Sequence, residues 1–448
     1  MKVNEDRHFK VHQLSFPFYL TFFFRINSNV DLIVSGTQLW TRMNVMSGSV
    51  EDHRELQTLD EVQQVFSMCF SRGIAIERYV ANGEVFQELV NAAENKLSTF
   101  QVTVGGNAAL FAQQIAMEHS DAEVLLVGPV GPKLKSLLLT NVLTQNSTKI
   151  AMDEIHLIME FKQGEIWGDY IAPTNSRLII SHDQFSSSAV IIDMFFNNIL
   201  LFRPDLIILT GIHLLEFNPK ELWMEKLIVI KRKLNQASKE VPIHLELGHL
   251  SDPEFTLNVL HKIIPYVDSL GLGEQQLAAL SKAAHGPFAD QIPASASTIH
   301  VYKATEILHW LLRSSTVESK RRYFRLQRIH LRCLTYHMIA SRGPNWSNGA
   351  AALVAGAMVY AQRACGFEGG TLSDLVELRV SEEHLVDQRD DRKYKFKADS
   401  PLMSWMREDV LFIYTPVLLC KHPVKTVGIS HAGAATSLMY SQFFRIEK

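Results

Sequence analysis

Four short polar or glycine-rich segments of this 448-residue chain have residue types that could bind a ligand. The first, residues 27–31, reads Asn-Ser-Asn-Val-Asp and follows an apolar run that predicts a core strand. Amides and a carboxylate at the carboxyl end of a parallel strand stand where α/β sheets bind their ligands. Because a carboxylate accepts hydrogen bonds from two hydroxyls while an amide both donates and accepts, a sugar suits this segment. The alternative is an ordinary polar turn with an Asx cap.

Two other segments are glycine turns that precede helices of small residues. Residues 105–107 (Gly-Gly-Asn) follow a predicted strand, and residues 428–435 run from Gly428 through small side chains. Such turns let a ligand approach the backbone and offer free helix N–H groups to hydroxyls or phosphate oxygens. The alternatives are a helix-initiating turn without a ligand for the first segment and close helix packing for the second.

The fourth candidate is a pair of carboxylates about 30 residues apart. Glu246 closes the predicted strand at residues 243–247, and Glu274 follows a Leu-Gly-Leu-Gly segment. Together they could hold a water-rich Mg²⁺ that bridges phosphates. The alternatives are an edge carboxylate in solvent for Glu246 and an acid in the first turn of a helix for Glu274, where the helix dipole favours it.

Composition excludes several classes of protein. Lys and Arg number 44 against 47 Asp and Glu, so the net charge of −3 argues against a nucleic-acid partner. A hydrophobic content of 47% with 20% charged residues is ordinary globular usage and excludes general disorder. The four cysteines form no CxxC pair, which excludes a zinc ribbon and a disulfide scaffold. The most apolar stretch, residues 349–361, is too short to span a membrane and predicts a buried helix.

The elements that must position these segments alternate between apolar strands and amphipathic helices. This alternation predicts an α/β fold with a mainly parallel sheet covered by helices on both faces. Residues 36–100 and 151–188 break the alternation and predict a small inserted subdomain, while the charged stretch 377–407 predicts a solvated loop or hairpin. The predicted strands are residues 19–24, 124–127, 206–209, 243–247 and 410–414, and the predicted helices are residues 108–119, 219–236, 274–282, 304–313 and 349–363.

Taken in order, these segments resemble the ADP-dependent glucokinases, sugar kinases of the ribokinase-like superfamily, and the eukaryotic members more than the archaeal ones. The resemblance covers residues 27–443. It implies a single kinase domain with a ribokinase-like core, in which residues 36–100 and 151–188 form a lid that closes over the sugar. The matching motifs are NSNVDLIVSG, GGNAAL, GPVGPKL, GDYIAP, LIILTGIHLLE, IHLELGHLSDPEF, VDSLGLGEQQL, RIHLRCLTYH and TPVLLCKHPVKTVGI.

The resemblance implies Mg²⁺-dependent transfer of a phosphoryl group from ADP to the 6-hydroxyl of glucose, a step of glycolysis. Glu246 and Glu274 would be metal ligands, Arg177 would clamp phosphate, and His431 would stand at the position of the catalytic base. The residues matched to sugar contacts are Asn29, Asp31, Glu77, Gly106 and Asn107. Those matched to nucleotide or phosphate contacts are Val417, Lys421, Val427, Gly428 and Ser430.

Three ligand motifs depart from the family pattern. The closing Gly-x-Gly-Asp reads Gly-Ile-Ser-His, so His431 replaces the Asp that takes the proton from the sugar. Asn-Glu-x-Glu reads Gly-Glu-Gln-Gln at residues 273–276, and Pro-Arg-x-Asn-Arg reads Pro-Thr-Asn-Ser-Arg at residues 173–177. An imidazole with the ordinary pKa of about 6.5 can accept a proton near neutrality.

These departures leave three hypotheses. The first is an ADP-dependent glucokinase with weak turnover and His431 as its base. The second is a non-catalytic pseudokinase that binds sugar or nucleotide, or scaffolds a partner. The third is the product of a decaying gene copy.

The resemblance also implies a monomer that binds glucose and ADP, without a membrane span. Eukaryotic relatives carry a hydrophobic N-terminal segment and are found in the endoplasmic reticulum. The apolar run at residues 14–24 contains Pro17 and is followed by no cleavage site of small residues. The expectation is therefore the endoplasmic reticulum by analogy, or the cytoplasm if Met1 is the natural start.

Overall fold

The computed structural model describes residues 21–25, 27–185, 189–292, 299–317, 324–367, 374–424 and 427–444. The strands are β1 (Thr21–Arg25), β2 (Asn29–Ser35), β3 (Glu55–Leu56), β4 (Ile76–Val80), β5 (Gln101–Gly105), β6 (Glu123–Val127), β7 (Val142–Thr144), β8 (Ile155–Phe161), β9 (Ile166–Trp167), β10 (Tyr170–Ile171), β11 (Ser176–Ser181), β12 (Leu206–Leu209), β13 (Ile243–Glu246), β14 (Ser269–Gly273), β15 (Arg328–Arg332), β16 (Tyr336–Arg342), β17 (Trp346–Ser347), β18 (Val376–Leu378), β19 (Glu383–Asp387), β20 (Arg392–Lys395), β21 (Met403–Arg407), β22 (Val410–Pro416), β23 (Leu418–Cys420) and β24 (Gln442–Phe443).

The helices are α1 (Gly36–Arg42), α2 (Leu59–Arg72), α3 (Gly83–Lys96), α4 (Asn107–Glu118), α5 (Pro132–Leu137), α6 (Ala189–Phe202), α7 (Lys220–Gln236), α8 (Pro253–Lys262), α9 (Glu274–Ala283), α10 (Val301–Val317), α11 (Gly349–Ala364) and α12 (Ile429–Tyr440), with 3₁₀ turns at Asn146–Thr148, Ile212–Phe217 and Ile264–Tyr266. The predicted strands and helices are confirmed, with ends shifted by a few residues. The first two residues of the strand predicted at 19–24 lie outside the described residues.

Ten strands form one sheet in the order β21-β22-β16-β15-β14-β13-β12-β1-β6-β7. The strands from β7 through β1 to β15 run parallel. Strands β16, β22 and β21 extend the sheet in antiparallel fashion. This architecture confirms the predicted α/β fold. Because the parallel strands end at one edge, ligand-binding side chains are expected there.

Helices cover both faces of the ten-stranded sheet. Successive side chains of its buried strands therefore lie alternately in two hydrophobic cores. Val124 and Leu126 of β6 belong to the core that includes α4 and α12. Leu125 and Val127 belong to the core that includes α6 and α7. A continuous apolar run is what a strand buried on both faces requires.

A second sheet of six strands, in the order β3-β4-β11-β8-β2-β5, forms the small subdomain. Its apolar face packs against α2 and α3. The predicted segments 36–100 and 151–188 supply β3, β4, β8 and β11. The sheet also includes β2 and β5, so it begins at Asn29 and reaches Gly105.

The chain passes from the first sheet to the second at Asn27 and returns at Gly106. Both residues have left-handed backbone conformations, with φ of 73° and 79°. A side chain at Gly106 would overlap the Asn27 carbonyl oxygen, which accepts a hydrogen bond from the N–H of Ala108 at 3.1 Å. The glycine is therefore required by backbone contact, and the predicted helix-initiating turn at residues 105–107 is confirmed.

Helices α11 and α12 pack closely through two glycines. A Cβ atom at Gly356 would lie 2.6 Å from the carbonyl oxygen of Gly433, and one at Gly433 would lie 2.7 Å from that of Gly356. The close packing predicted as the alternative for residues 428–435 is thus confirmed for Gly433. The apolar stretch 349–361 forms most of α11, and no described helix combines the length and the apolarity needed to cross a bilayer.

The charged stretch 377–407 forms the hairpin β19–β20 and strand β21, which confirms the predicted hairpin. Its charges are partly internal. Asp387 is fully buried, and its Oδ1 atom lies 3.6 Å from Nη1 of Arg407. Arg407 also donates to Glu306 of α10 at 2.7 Å. The interpretation of this stretch as a solvated loop is wrong for these buried residues.

A disulfide joins Cys365, at the end of α11, to Cys420, at the end of β23. Their Cα atoms lie 5.4 Å apart and their positions are separated by 55 residues. The sequence spacing does not predict this pair, because only the packing of α11 beside β23 brings the two thiols together. The remaining cysteines, Cys69 and Cys333, are buried free thiols.

Reduction of this disulfide is expected to destabilise the protein by about 4 kcal/mol, because it releases a loop of this length in the unfolded chain. Urea titrations with and without dithiothreitol measure the effect. A Cys365→Ser variant is the control and is expected to unfold at the same lower midpoint under both conditions. Equal midpoints for the native chain in both buffers would contradict the prediction.

Candidate functional site

One face of the second sheet carries its polar side chains and lies against the carboxyl edge of the first. Asp31 of β2 pairs in register with His156 of β8, and Arg177 of β11 pairs with Glu160 of β8. Glu77 of β4 lies on the same face, since β4 pairs with β11 two residues beyond Arg177. Because side chains two residues apart on a strand share a face, the sheet gathers these distant residues.

The predicted sugar residues of β2 and α4 form one cluster. Asn29 Nδ2 donates to Asp31 Oδ1 at 2.8 Å, and both side chains are buried. A Cβ atom at Gly105 would overlap both of them. Gly106 is the N-cap of α4, and Asn107 is the first residue of that helix. The structure therefore brings the four predicted residues of this group together beside the start of α4: Asn29, Asp31, Gly106 and Asn107.

Burial raises the pKa of the Asp31 carboxyl to about 7, although His156 and the hydrogen bond from Asn29 act in the opposite direction. Near neutrality this carboxyl is therefore divided between its charged and neutral forms. The charged form offers both oxygens as strong acceptors to sugar hydroxyls, whereas the neutral form turns one of them into a donor.

Glucose affinity is accordingly expected to rise with pH through about 7. The sign follows from the raised pKa: Asp31 is protonated below it and ionised above it, so affinity at pH 6 should be about tenfold weaker than at pH 8 or above. Isothermal titration of glucose across this range measures the effect, with Asp31→Asn as the variant whose weak binding should not vary with pH. A native profile that is flat from pH 6 to 8 would contradict the prediction.

Glu77 lies between two histidines that sequence reasoning missed. Its Oε1 atom is 3.8 Å from His156 Nδ1, and its Oε2 atom is 3.7 Å from His213 Nε2. Burial opposes the charge on His156, but the carboxylates of Asp183, Glu77 and Asp31 outweigh it and raise the pKa to about 10. Burial lowers the pKa of His213 to about 3. Glu77 is thus flanked by one charged and one neutral imidazole.

Arg177 connects the second sheet electrostatically to α12. Burial lowers the pKa of its guanidinium, while the charges of Glu160 and Asp31 act to raise it. The positive charge of Arg177 in turn contributes to the lowered pKa of His431. The predicted phosphate clamp therefore interacts electrostatically with Asp31 of the sugar cluster and with His431, the predicted base.

At the carboxyl edge of the ten-stranded sheet, Glu246 of β13 forms an ion pair with Arg332 of β15. Strand β14 lies between β13 and β15. A Cβ atom at its Gly271 would overlap Glu246 Oε2. His244 Nε2 lies 3.3 Å from the same oxygen. Burial acts to raise the pKa of Glu246, but Arg332 and His244 outweigh it and hold that pKa below its usual range.

The first turn of α12 meets this ion pair through Ser430, whose Oγ accepts from Arg332 Nε at 3.2 Å. His431 follows, with its ring centroid 6.1 Å from that of Phe111. Burial, with the charges of Arg332 and Arg177, lowers the pKa of His431 to about 4 against the attraction of Glu246. The imidazole is therefore neutral at pH 7, and its Nδ1 atom has no hydrogen-bond partner among the described residues.

Of the other predicted ligands, Glu274 lies near Arg332, because the preceding Gly273 pairs with that residue. Val417 and Lys421 flank β23. Glu274 begins α9, and burial raises the pKa of its carboxyl to about 7 against hydrogen bonds from Cys333 and the Leu334 backbone. Lys421 is exposed and donates to the Asp374 carbonyl oxygen at 3.0 Å. Val417 is buried.

The groove beside α12 is lined by Val427 and Gly428 together with Thr103 of β5 and Glu160 of β8. The functional roles of these residues, like those of Glu274, Lys421 and Val417, stay predictions.

The structure adds four residues to those predicted: His156, Asp183, His213 and Arg332. The spacing of the two polar residues in β8 was a signal for His156, because His156 and Glu160 are four residues apart and therefore share one face of the strand. The sequence contained no signal for Asp183, His213 or Arg332. Arg332, for example, reaches Glu246 across an intervening strand.

Comparison with known proteins places this geometry in a family. The model of the ADP-specific phosphofructokinase/glucokinase conserved region matches residues 21–440. The chain is 48% identical over 430 residues to a probable ADP-dependent glucokinase of Caenorhabditis elegans, which covers 94% of this chain and 85% of that protein. It is 35% identical over 420 residues to an ADP-dependent glucokinase of Bos taurus, covering 93% of this chain and 83% of the relative.

Solved structures agree in fold. An ADP-dependent kinase in complex with fructose-6-phosphate and ADPβS matches with a TM-score of 0.68 and 17% identity, over 94% of this chain and 93% of the other. A hypothetical ADP-dependent phosphofructokinase of Pyrococcus horikoshii OT3 matches with a TM-score of 0.65 and 17% identity, over 94% and 97%. The α/β fold implied by the resemblance to ribokinase-like kinases is thus that of solved ADP-dependent kinases. Because the family pattern spans most of the sequence and both glucokinases align along nearly all of it, this chain belongs to the ADP-dependent glucokinase family.

Proposed function

We propose that this protein transfers the β-phosphoryl group of ADP to the 6-hydroxyl of glucose. The observation that carries the proposal is the contact between α4 and α12: α4 begins with Gly106 and Asn107 of the sugar cluster, and its Phe111 contacts the His431 ring. Asn29 and Asp31 of the sugar cluster lie beside the start of α4, and His431 lies in the first turn of α12. Arg177 interacts electrostatically with Asp31 and with His431. The membership in a family whose relatives are named ADP-dependent glucokinases supports the choice of substrates.

In this reaction the 6-oxygen of glucose forms a bond to the β-phosphorus of ADP while the bond from that phosphorus to the bridging oxygen breaks. AMP leaves with the electron pair of the broken bond. The proton of the 6-hydroxyl passes to the neutral imidazole of His431. The N–H groups at the start of α12 and the Arg177 guanidinium stabilise the phosphoryl oxygens, since phosphoryl transfer is catalysed by positioning and charge.

The resemblance implies Mg²⁺, and the two carboxylates matched to it already have partners within the protein. Glu246 is already paired with Arg332, and the Glu274 carboxylate accepts hydrogen bonds from its own surroundings. The described residues contain no group of three or more His, Cys, Asp or Glu side chains arranged to hold a metal ion. The described side chains therefore do not form an all-protein Mg²⁺ site, and no step is assigned to the metal.

The test is the formation of glucose-6-phosphate by the purified chain with glucose, ADP and Mg²⁺. We expect slow but measurable product, and we expect Asp31→Asn to lose most of it through a higher KM for glucose. The ratio of AMP to glucose-6-phosphate should be one to one, because each transfer releases one AMP. Product formation that is unchanged by Asp31→Asn would contradict the assignment of the sugar site.

A second candidate is a pseudokinase that binds sugar or nucleotide without turnover. It is favoured by the pKa of about 4 at His431, which makes the imidazole a weak base. Thermal-shift titrations separate the candidates, because a pseudokinase would be stabilised by glucose or ADP while forming no product. The monomeric state and the compartment, endoplasmic reticulum or cytoplasm, stay predictions of the resemblance.

A further inference from the structure

The charge of Glu246 is neutralised from within the protein. Glu246 and Arg332 are 1% and 7% exposed and form an ion pair at the carboxyl edge of the ten-stranded sheet. They belong to strands that are not neighbours, and they meet because Gly271 on the strand between them has no side chain. A buried carboxylate paired in this way has no need of a divalent cation for charge balance.

The same guanidinium also reaches the anion-binding end of α12. Arg332 Nε donates to Ser430 Oγ at 3.2 Å, in the first turn of a twelve-residue helix. Arg332 Nη2 pairs with Glu246, and Nη1 has no hydrogen-bond partner among the described residues. One side chain thus connects the carboxylate predicted to bind metal with the turn predicted to bind phosphate.

The surroundings of this guanidinium carry excess positive charge. Arg328, four residues earlier on β15, is 1% exposed and donates to Ser269 Oγ at 3.0 Å. Its Nη2 group has no hydrogen-bond partner among the residues that the structure describes. Arg328 lies at the other end of β15 from Arg332, and its guanidinium is 5.4 Å from the Trp346 ring centroid. Together with Glu246, these side chains carry two positive charges and one negative charge on this face of the sheet. Buried donors without partners are costly unless a ligand satisfies them.

We propose that Arg332 is the resident cation of the phosphate site, replacing a protein-bound divalent metal, so that the diphosphate of a nucleotide binds without metal. The inference deepens the proposed function, on whose phosphate site it rests. Arg332 supplies the charge and the free Nη1 donors, while Glu246 and Ser430 hold the guanidinium in place. Guanidinium groups suit this role because their planar donor set matches phosphate oxygens.

The first experiment is calorimetric titration of the full-length chain with ADP, in EDTA and in excess Mg²⁺. We expect the two dissociation constants to agree within about twofold. In parallel, Mn²⁺ binding to the nucleotide-free chain is followed by electron paramagnetic resonance, and no site tighter than millimolar is expected. ADP binding that is more than tenfold tighter with Mg²⁺, or a tight Mn²⁺ site, would overturn the inference.

Variants then test the residue. Arg332→Gln is expected to weaken ADP binding in EDTA by about 10- to 100-fold, as for loss of a charged donor to phosphate. Arg332→Lys should recover part of the loss. Arg342→Gln is the matched control, because Arg342 ends the neighbouring strand β16 and pairs with Asp409. ADP binding by Arg332→Gln that equals that of the control would overturn the inference, and circular dichroism establishes that each variant is folded.

The outcomes separate this inference from the proposed function. ADP binding that requires Mg²⁺ would overturn the inference alone and leave glucose phosphorylation standing. Metal-independent ADP binding without product would support the inference and contradict the activity. Absence of ADP binding in both buffers would overturn both. If Arg332→Gln fails to fold, the titrations of the native chain decide the question.

Discussion

A His431→Asp variant is expected to form glucose-6-phosphate about 10- to 100-fold faster than the native chain, which is at or below the lower end of what general-base catalysis supplies, because the imidazole keeps part of that function. The reason is the charge that proton transfer creates. A protonated imidazole would be a cation held near Arg332 and Arg177, the two groups that help to lower the pKa of His431 to about 4. A carboxylate that takes the same proton becomes neutral, so it avoids this repulsion.

The measurement is kcat from a coupled assay for glucose-6-phosphate at saturating glucose and ADP. His431→Asn is the matched control, because an amide of similar size to aspartate accepts no proton and should not exceed the native rate. Product from the Asp variant alone would mean that His431 switched off an otherwise intact site. A native rate equal to or above that of the Asp variant would contradict the prediction and establish the imidazole as a competent base.

A Gly271→Ala variant is expected to lose about 3–5 kcal/mol of unfolding free energy, the cost of breaking a buried ion pair. A Cβ atom at this position would overlap Glu246 Oε2 and lie 3.1 Å from Arg332 Nη1. Glu246 is 1% exposed, so water cannot replace Arg332 as the partner of its carboxylate. The substitution therefore separates two charges without removing either of them.

Denaturant titration measures this loss, and Gly273→Ala on the same strand is the matched control. At Gly273 the nearest atom to a new Cβ is Gln276 Oε1, at 2.9 Å, which belongs to a flexible side chain that can move. We expect the control to cost less than about 1 kcal/mol. If both variants unfold at similar denaturant concentrations, Glu246 and Arg332 can pair around a methyl group, and the tight fit inferred at Gly271 is wrong.

Both predictions concern the charge balance around the first turn of α12. His431 and Ser430 stand at positions where the family pattern has Asp and Gly, and Arg332 contacts Ser430 and Glu246 together. The altered residues are therefore coupled through one guanidinium.

A double variant that changes His431 and Arg332 should accordingly deviate from the sum of the single effects, as residues in one ionic network do.

Periodicity and local turn chemistry in the sequence were sufficient to determine most of the architecture. Short apolar runs such as residues 124–127, bounded by polar or glycine residues and alternating with helices, indicate strands buried on both faces, and this predicts a parallel sheet between two layers of helices. The turn at residues 105–107 and the polar segment at residues 27–31 were found in the same way. Their residue types and turn signals are local, although the two segments contact each other across about 80 residues of sequence.

Tertiary structure alone decided which side chains meet. Sheet register brings Glu77 beside His156, and the packing of the two sheets brings it to His213. The pairing of Glu246 with Arg332 depends on a glycine in a third strand. The Cys365–Cys420 disulfide depends likewise on α11 packing beside β23.

The pKa values followed the same division. The sequence identifies residues 31 and 431 as Asp and His, and residue type alone suggests an ordinary pKa for each. Burial then raised the pKa of one to about 7 and lowered that of the other to about 4. Desolvation depends on every atom packed around a group, and those atoms come from strands and helices far apart in the chain. The sequence therefore determined which chemical groups the site contains, and the tertiary structure decided their charge.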